Sequence, residues 1–154
     1  AQFKNGKLKT NDSVIKLLEM EKRKKIDEPE TIKEMYRRLE LIKKKVRRTI
    51  FEFKNDGKSI AGFGAARSGT TLLSYFGIGN DIDFLVDDNE SKHYKFSPGD
   101  KIEVLPTSEI YNRKPDYLLI LAWIHAESII DNHNKYVKQG GGFIRLFPTV
   151  RIIR

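Results

Sequence analysis

Cysteine is absent from this 154-residue chain, which removes disulfide frameworks, thiolate zinc sites and thiol nucleophiles together. Histidine is scarce: His93, His125 and His133 stand in no HExxH or other ligand spacing, so no resident metal is expected. Long apolar runs are missing too. No stretch approaches the roughly 18–20 residues that cross a bilayer, and the opening AQFKNGKLKTND has no apolar signal core. The expectation is a soluble cytoplasmic protein with no membrane partner. Internal repeats and low-complexity segments are also lacking.

What is present is enough apolar material, 39% of residues, for one domain or one domain plus an extension. The net charge of +8 is unevenly placed. Residues 1–58 carry 18 Lys and Arg against 10 Asp and Glu, whereas residues 59–154 carry 11 of each. The basic residues are interspersed with acids along helices and accompany no nucleic-acid motif, so they read as a solvated face and not as a nucleic-acid surface.

Ala1 to Asn11 is polar and reads as a frayed start. From Asp12 the residues Val14, Ile15, Leu17, Leu18 and Met20 suggest a short helix ending in the basic stretch Lys22 to Lys25. Pro29 suits a first helical turn, and Glu28, Glu30 and Glu34 favour the positive end of the helix dipole. From there Ile32, Met35, Tyr36, Leu39, Ile42, Val46, Ile50 and Phe53 recur at steps of three and four, with Gly57 as a left-handed cap. Such a length suits a connecting or docking helix, through which the chain could also form oligomers.

After Gly57 short apolar runs alternate with helical segments, the pattern of βαβ units. Strands are expected at Ser59 to Phe63, Asp83 to Val86, Lys101 to Val104, Tyr117 to Ala122 and Gly142 to Leu146. Helices are expected at Ser68 to Phe76, Ser108 to Tyr111 and His125 to Gln139. The fold class is therefore α/β, a Rossmann-like three-layer parallel sheet domain over residues 58–154, preceded by a helical extension over residues 1–57.

Three motifs could carry chemistry. The first strand runs into Gly62, Gly64, Ala65, Ala66, Arg67, Ser68, Gly69, Thr70 and Thr71, where a strand-to-helix turn lets backbone approach a phosphate. A dinucleotide fingerprint would need a third glycine at position 67; Arg67 stands there and offers, with the hydroxyls beside it, partners for phosphate oxygens. The alternative is a tight turn with Ser68 or Thr70 capping the helix. The second strand leads into Asp87, Asp88 and Asn89, about twenty residues on, where a ribose-binding carboxylate is expected; a turn satisfying its own backbone is the alternative. The fourth strand ends at Ala122, Trp123, Ile124 and His125, placed to border a ligand crevice, unless His125 only begins the next helix. His93 and His133 read as surface residues.

These residues, with Tyr75-Phe76-Gly77-Ile78, Ser97-Pro98-Gly99 and Pro115-Asp116-Tyr117, resemble the C-terminal domain of S-adenosylmethionine-dependent sugar C-methyltransferases. The resemblance runs from about Pro29 to the C-terminus. It implies a Rossmann-like domain that holds a nucleotide-linked deoxysugar against a central domain, where S-adenosylmethionine and the acid/base residues lie. It also implies that this chain looks like the last domain alone, with no cofactor and no catalytic residue of its own and with the N-terminal methyltransferase domain as its partner. The substrate-binding set implied is Gly62, Gly64, Ala65, Ala66, Arg67, Ser68, Thr70, Asp87, Asp88, Asn89, Trp123 and His125. Three positions depart from the family pattern: Arg67 replaces Lys, Glu90 replaces Pro, and Ile124 replaces an Asn whose amide His125 could substitute. A stand-alone nucleotide- or coenzyme-binding module and a helix-mediated interaction domain are the alternatives.

Overall fold

The computed structural model of the chain describes Gly6 and residues 11–154. Most of the start that the sequence reads as frayed lies outside the described residues. The chain divides into two compact units, one through Glu40 and one from Leu41 to Arg154.

In the first unit, helix α1 (Asp12–Lys24) begins where the Asn11 side chain accepts the Ser13 N–H at 2.9 Å and ends at Lys25, which turns left-handed at φ 53°. Helix α2 (Pro29–Asn55) starts at the proline, as expected, and carries Glu30 in its first turn. Exposed pairs such as Lys33 with Glu30 at 2.6 Å and Arg38 with Glu34 at 3.0 Å lace its surface. Each such pair contributes only about 0.2–0.5 kcal/mol. No residue of α1 is buried, and Ile32, Met35 and Tyr36 of α2 are exposed.

The second unit takes over α2 from Leu41. Here its apolar stripe is covered: Val46 and Ile50 are fully buried, Ile42 and Phe53 pack against the same core, and the Phe53 ring stacks on Tyr117 at 3.8 Å. Gly57 follows at φ +71°, the expected stop.

The remaining elements are β1 (Ile60–Phe63), α3 (Arg67–Phe76), β2 (Leu85–Asp87), β3 (Lys95–Phe96), β4 (Glu103–Pro106), α4 (Glu109–Asn112), β5 (Tyr117–Ile120), α5 (Ala126–Asn132), α6 (Asn134–Lys138), β6 (Gly142–Arg145) and β7 (Arg151–Ile153). They form one sheet in the order β3-β4-β2-β1-β5-β6-β7. The five central strands are parallel and answer to the five expected ones. Both edges are antiparallel additions, β3 on β4 and β7 on β6. Neither carried a sequence signal, since β3 is two exposed residues and β7 is three residues beyond Pro148.

Alternate residues of the strands face opposite ways, so the sheet has a core on each side. Ile60, Leu119, Leu121 and Ile144 meet Leu73 and Phe76 of α3 and Val46 and Ile50 of α2. Ala61, Phe63, Leu118, Ile120 and Phe143 meet Ile110, Ile129 and Tyr136. That is the three-layer α/β arrangement the sequence implies, and each fully buried side chain of this size contributes about 1.5–3 kcal/mol.

The helix expected from His125 to Gln139 is broken. Trp123–His125 form a 3-10 turn, and α5 and α6 are separated by His133, whose backbone leaves helical values at φ −113°, ψ 25°. The His133 ring packs beside Phe63, and its Nδ1 lies 2.8 Å from the Tyr111 hydroxyl. A tertiary bond thus wins over local helix propensity. At the opposite rim of the sheet, Asp116 accepts the Ser59 N–H and Oγ at 2.9 Å each and Lys58 at 3.1 Å, which holds its carboxyl below the usual carboxylate range. Among the described residues, no helix is long and apolar enough to cross a membrane.

Candidate functional site

In an open α/β sheet the ligand crevice lies outside the carboxyl ends of the strands, where the strand order reverses. Here the chain proceeds from β1 to β2 and β4 on one side, then returns to β5 and β6 on the other. The reversal falls between β1 and β5. Their register pairs Ile60 with Tyr117 and Phe63 with Ile120, so the two strands end level and their following turns lie side by side.

Gly64 makes this closeness possible. It sits at φ +104°, and a Cβ on it would lie 2.7 Å from the Cβ of Ala122. On its other side Gly69 approaches so closely that a Cβ there would lie 2.4 Å from the Gly64 carbonyl oxygen. The glycine pattern therefore serves packing of β1, β5 and α3 on one another.

The first turn of α3 is left open. Ala66 occupies the cap position with no side-chain bond to the helix. Neither Ser68 nor Thr70 caps it: the Thr70 hydroxyl turns back to the Ala66 carbonyl at 3.5 Å, and Thr71 bonds the Arg67 carbonyl at 3.0 Å. Arg67 and Ser68 are exposed. A helix start without a side-chain cap, its positive dipole end and the exposed Arg67 thus lie together, a setting that favours anions.

Asp87 joins the second motif to the first. It is buried, and its Oδ2 accepts the Ala65 N–H and the Lys92 ammonium, each at 2.8 Å, while Oδ1 accepts the Asn89 N–H at 2.9 Å. The carboxylate positions the glycine turn. Asp88 and Asn89 are exposed; Asp88 accepts the Thr107 hydroxyl, and Asn89 accepts the Ser91 N–H at 3.0 Å. His93 is half-buried with its Nε2 2.7 Å from the Asp87 carbonyl oxygen. The surface reading of His93 and His133 is therefore corrected: both rings are held by hydrogen bonds. Burial also holds the His133 imidazole below its usual pKa.

The third motif lies on the β5 side. Trp123 is half-exposed and meets Phe147 edge to face at 5.2 Å, with Ile124 and His125 exposed beside it. The structure thus brings the turn after β1 against that after β5, and ties the end of β2 to it by hydrogen bonds.

One feature of this edge is only partly anticipated by the sequence candidates. A cavity of about 200 Å³ is lined by Ala65 and Thr70 together with Ser91, Lys92, Lys95, Phe96, Ser97, Pro98 and Val104. The sequence signals for it are Ala65 and Thr70 of the glycine turn and the motif Ser97-Pro98-Gly99. Lys92 and Lys95 belong to no motif, and they reach the glycine turn only because β3 folds back along β4.

Residues 1–148 match the family described as C-methyltransferase C-terminal domain. The chain is 36% identical over 115 residues to C-methyltransferase NovU of Streptomyces niveus, a match covering 74% of this chain and 27% of that protein. The chain thus spans about a quarter of the length of that relative. Among solved structures, the crystal structure of UDP-D-quinovosamine 4-dehydrogenase from Vibrio fischeri is similar at 17% identity with a TM-score of 0.43, covering 60% of this chain and 79% of that one.

Proposed function

The chain belongs to the C-methyltransferase C-terminal domain family, and from that premise we propose that it is the substrate-side domain of an S-adenosylmethionine-dependent C-methyltransferase acting on a nucleotide-linked sugar. The observation that carries this reading is the convergence of three loops at the switch point. It combines an open helix N-terminus, a guanidinium at Arg67, the acceptors of Asp88 and Asn89, and the exposed rings of Trp123 and His125. Phosphate oxygens suit the first two, sugar hydroxyls the acceptors, and a sugar or base face the rings. Asp87 and the glycines hold the turn in place.

The methyl donor is assigned to polypeptide outside this chain. Asp87, the carboxylate that would take a donor ribose in this topology, is engaged with Ala65, Asn89 and Lys92. S-adenosylmethionine supplies the electrophilic methyl group when bound; this chain's part is to orient the sugar nucleotide. The exposed apolar residues of the first unit, Val14, Leu17 and Leu18 on α1 and Ile32 and Met35 on α2, support a docking role toward the polypeptide that carries the donor.

Calorimetric titration tests the reading. Thymidine-diphosphate glucose or UDP-glucose should bind the 154-residue chain and S-adenosylmethionine should not. Binding of S-adenosylmethionine with no nucleotide-sugar affinity overturns it, as does selective binding of NAD or coenzyme A.

A further inference from the structure

We propose that the cavity between the first turn of α3 and the β3 edge is a nucleoside-diphosphate subsite, in which Lys95, with Lys92, takes phosphate oxygens and Phe96 faces the base. This rests on the nucleotide-sugar reading above and deepens it by naming the cations and the ring that serve it.

The two lysines are not equivalent. Lys92 lies 2.8 Å from the Asp87 carboxylate, so its charge is already partly answered. Lys95 bonds the Ser91 carbonyl at 2.5 Å, and among the described residues no carboxylate lies within ion-pair distance of it. An ammonium has three donors, so two remain on Lys95 for an incoming anion. A second cation nearby, held in place by Asp87, raises the local potential without competing for the same acceptor.

The rest of the lining is the complement of a flat ring. Ala65, Phe96, Pro98 and Val104 supply apolar wall, and Phe96 is 66% exposed, an aromatic face on the rim of the cavity that has no stacking partner among the described residues. That rim is firmly built. Ser97 is buried, accepts the Ile102 N–H on its hydroxyl at 3.0 Å, and gives its own N–H to the Ile102 carbonyl at 2.8 Å. Thr70, from the open first turn of α3, forms the facing wall and brings the positive dipole end to the same space.

Size sets the assignment. About 200 Å³ is below the 300–1,000 Å³ of pockets that enclose a drug-sized ligand. It admits one ring with its phosphate at the mouth, so the sugar to be methylated lies outside it.

The test uses calorimetry on the 154-residue chain with three probes: UDP, thymidine diphosphate and inorganic pyrophosphate. Lys95→Gln should weaken all three by about tenfold, the loss of a charge-assisted contact. Phe96→Ala should weaken the two nucleotides and leave pyrophosphate unchanged. Melting temperatures equal to the parent's keep folding out of the comparison; both side chains are exposed, so none should shift. If Lys95→Gln and Phe96→Ala bind nucleotides like the parent while Arg67→Ala loses them, the glycine turn holds the diphosphate alone, without the β3 edge. That result overturns this inference and leaves the nucleotide-sugar reading standing. A parent chain that binds none of the nucleotides or nucleotide sugars overturns both.

Discussion

The Asp87 carboxylate accepts the backbone N–H of Ala65 at 2.8 Å, fastening the end of β2 to the turn that follows β1. One buried acid thereby sets the shape of the edge where the candidate site lies, and Lys92 and the Asn89 N–H complete its hydrogen bonds.

Asp87→Ala should therefore cost more than a surface acid. It leaves the Ala65 N–H without its partner and frees Lys92, and a buried charge-assisted bond of this kind contributes about 1.5–3 kcal/mol. Urea unfolding should show a loss in that range, accompanied by weaker nucleotide-sugar binding. A variant with parental stability would mean that water replaces the carboxylate without cost.

Gly69→Ala places a methyl group 2.4 Å from the Gly64 carbonyl oxygen, a backbone atom that cannot move aside cheaply. A loss of about 1–3 kcal/mol is expected, as for overpacking elsewhere. Serine at the same position should be no milder. Thermal melts of the two variants check this.

Ile50→Ala should destabilise the second unit by about 2–5 kcal/mol, because Ile50 is buried in the α/β core beside Val46. Leu17→Ser on α1 should leave the same unfolding transition unchanged, since no residue of α1 is buried. Guanidinium titrations of the two variants separate these outcomes.

The pH dependence has two windows of the same sign. Burial lowers the folded pKa of His133, so the unfolded chain takes up its proton first; stability from the neutral ring is present above about pH 6.5 and is lost as pH falls through the folded value. Asp116 is lowered chiefly by the Ser59 backbone hydrogen bond, so its contribution is present above about pH 4 and is lost on further acidification. His133→Gln should flatten the first decline in melting temperature and leave the second. A wild-type melting temperature constant between pH 7 and pH 5 would contradict the assignment for His133.

Much of the parallel sheet was legible because its strands are continuous apolar runs bounded by turn residues, as at Tyr117 to Ile120. The start at Pro29 and the stop at Gly57 were legible for equally local reasons. What escaped depends on distant partners. Lys95 and Phe96 become a strand only by pairing with Val104 and Glu103, and His133 interrupts a helix only because Tyr111 is there to receive it. The same holds at the site. The glycines and Asp87 could be placed by spacing, but not that Asp87 would turn inward to Ala65. The cavity walls from the β3 turn had no periodicity to announce them.

The Asp116–Ser59 lock and the turns of the candidate site occupy opposite rims of one sheet. A saturation-mutagenesis map of this domain should therefore separate by rim. Changes around Ser59 and Asp116 would lower the amount of folded protein, while changes at Arg67, Asn89 and His125 would be tolerated for abundance and would alter only the nucleotide-sugar binding proposed above. Asp87 is the position where the two kinds of intolerance would coincide, because the carboxylate that shapes this edge also holds the turn of the proposed site.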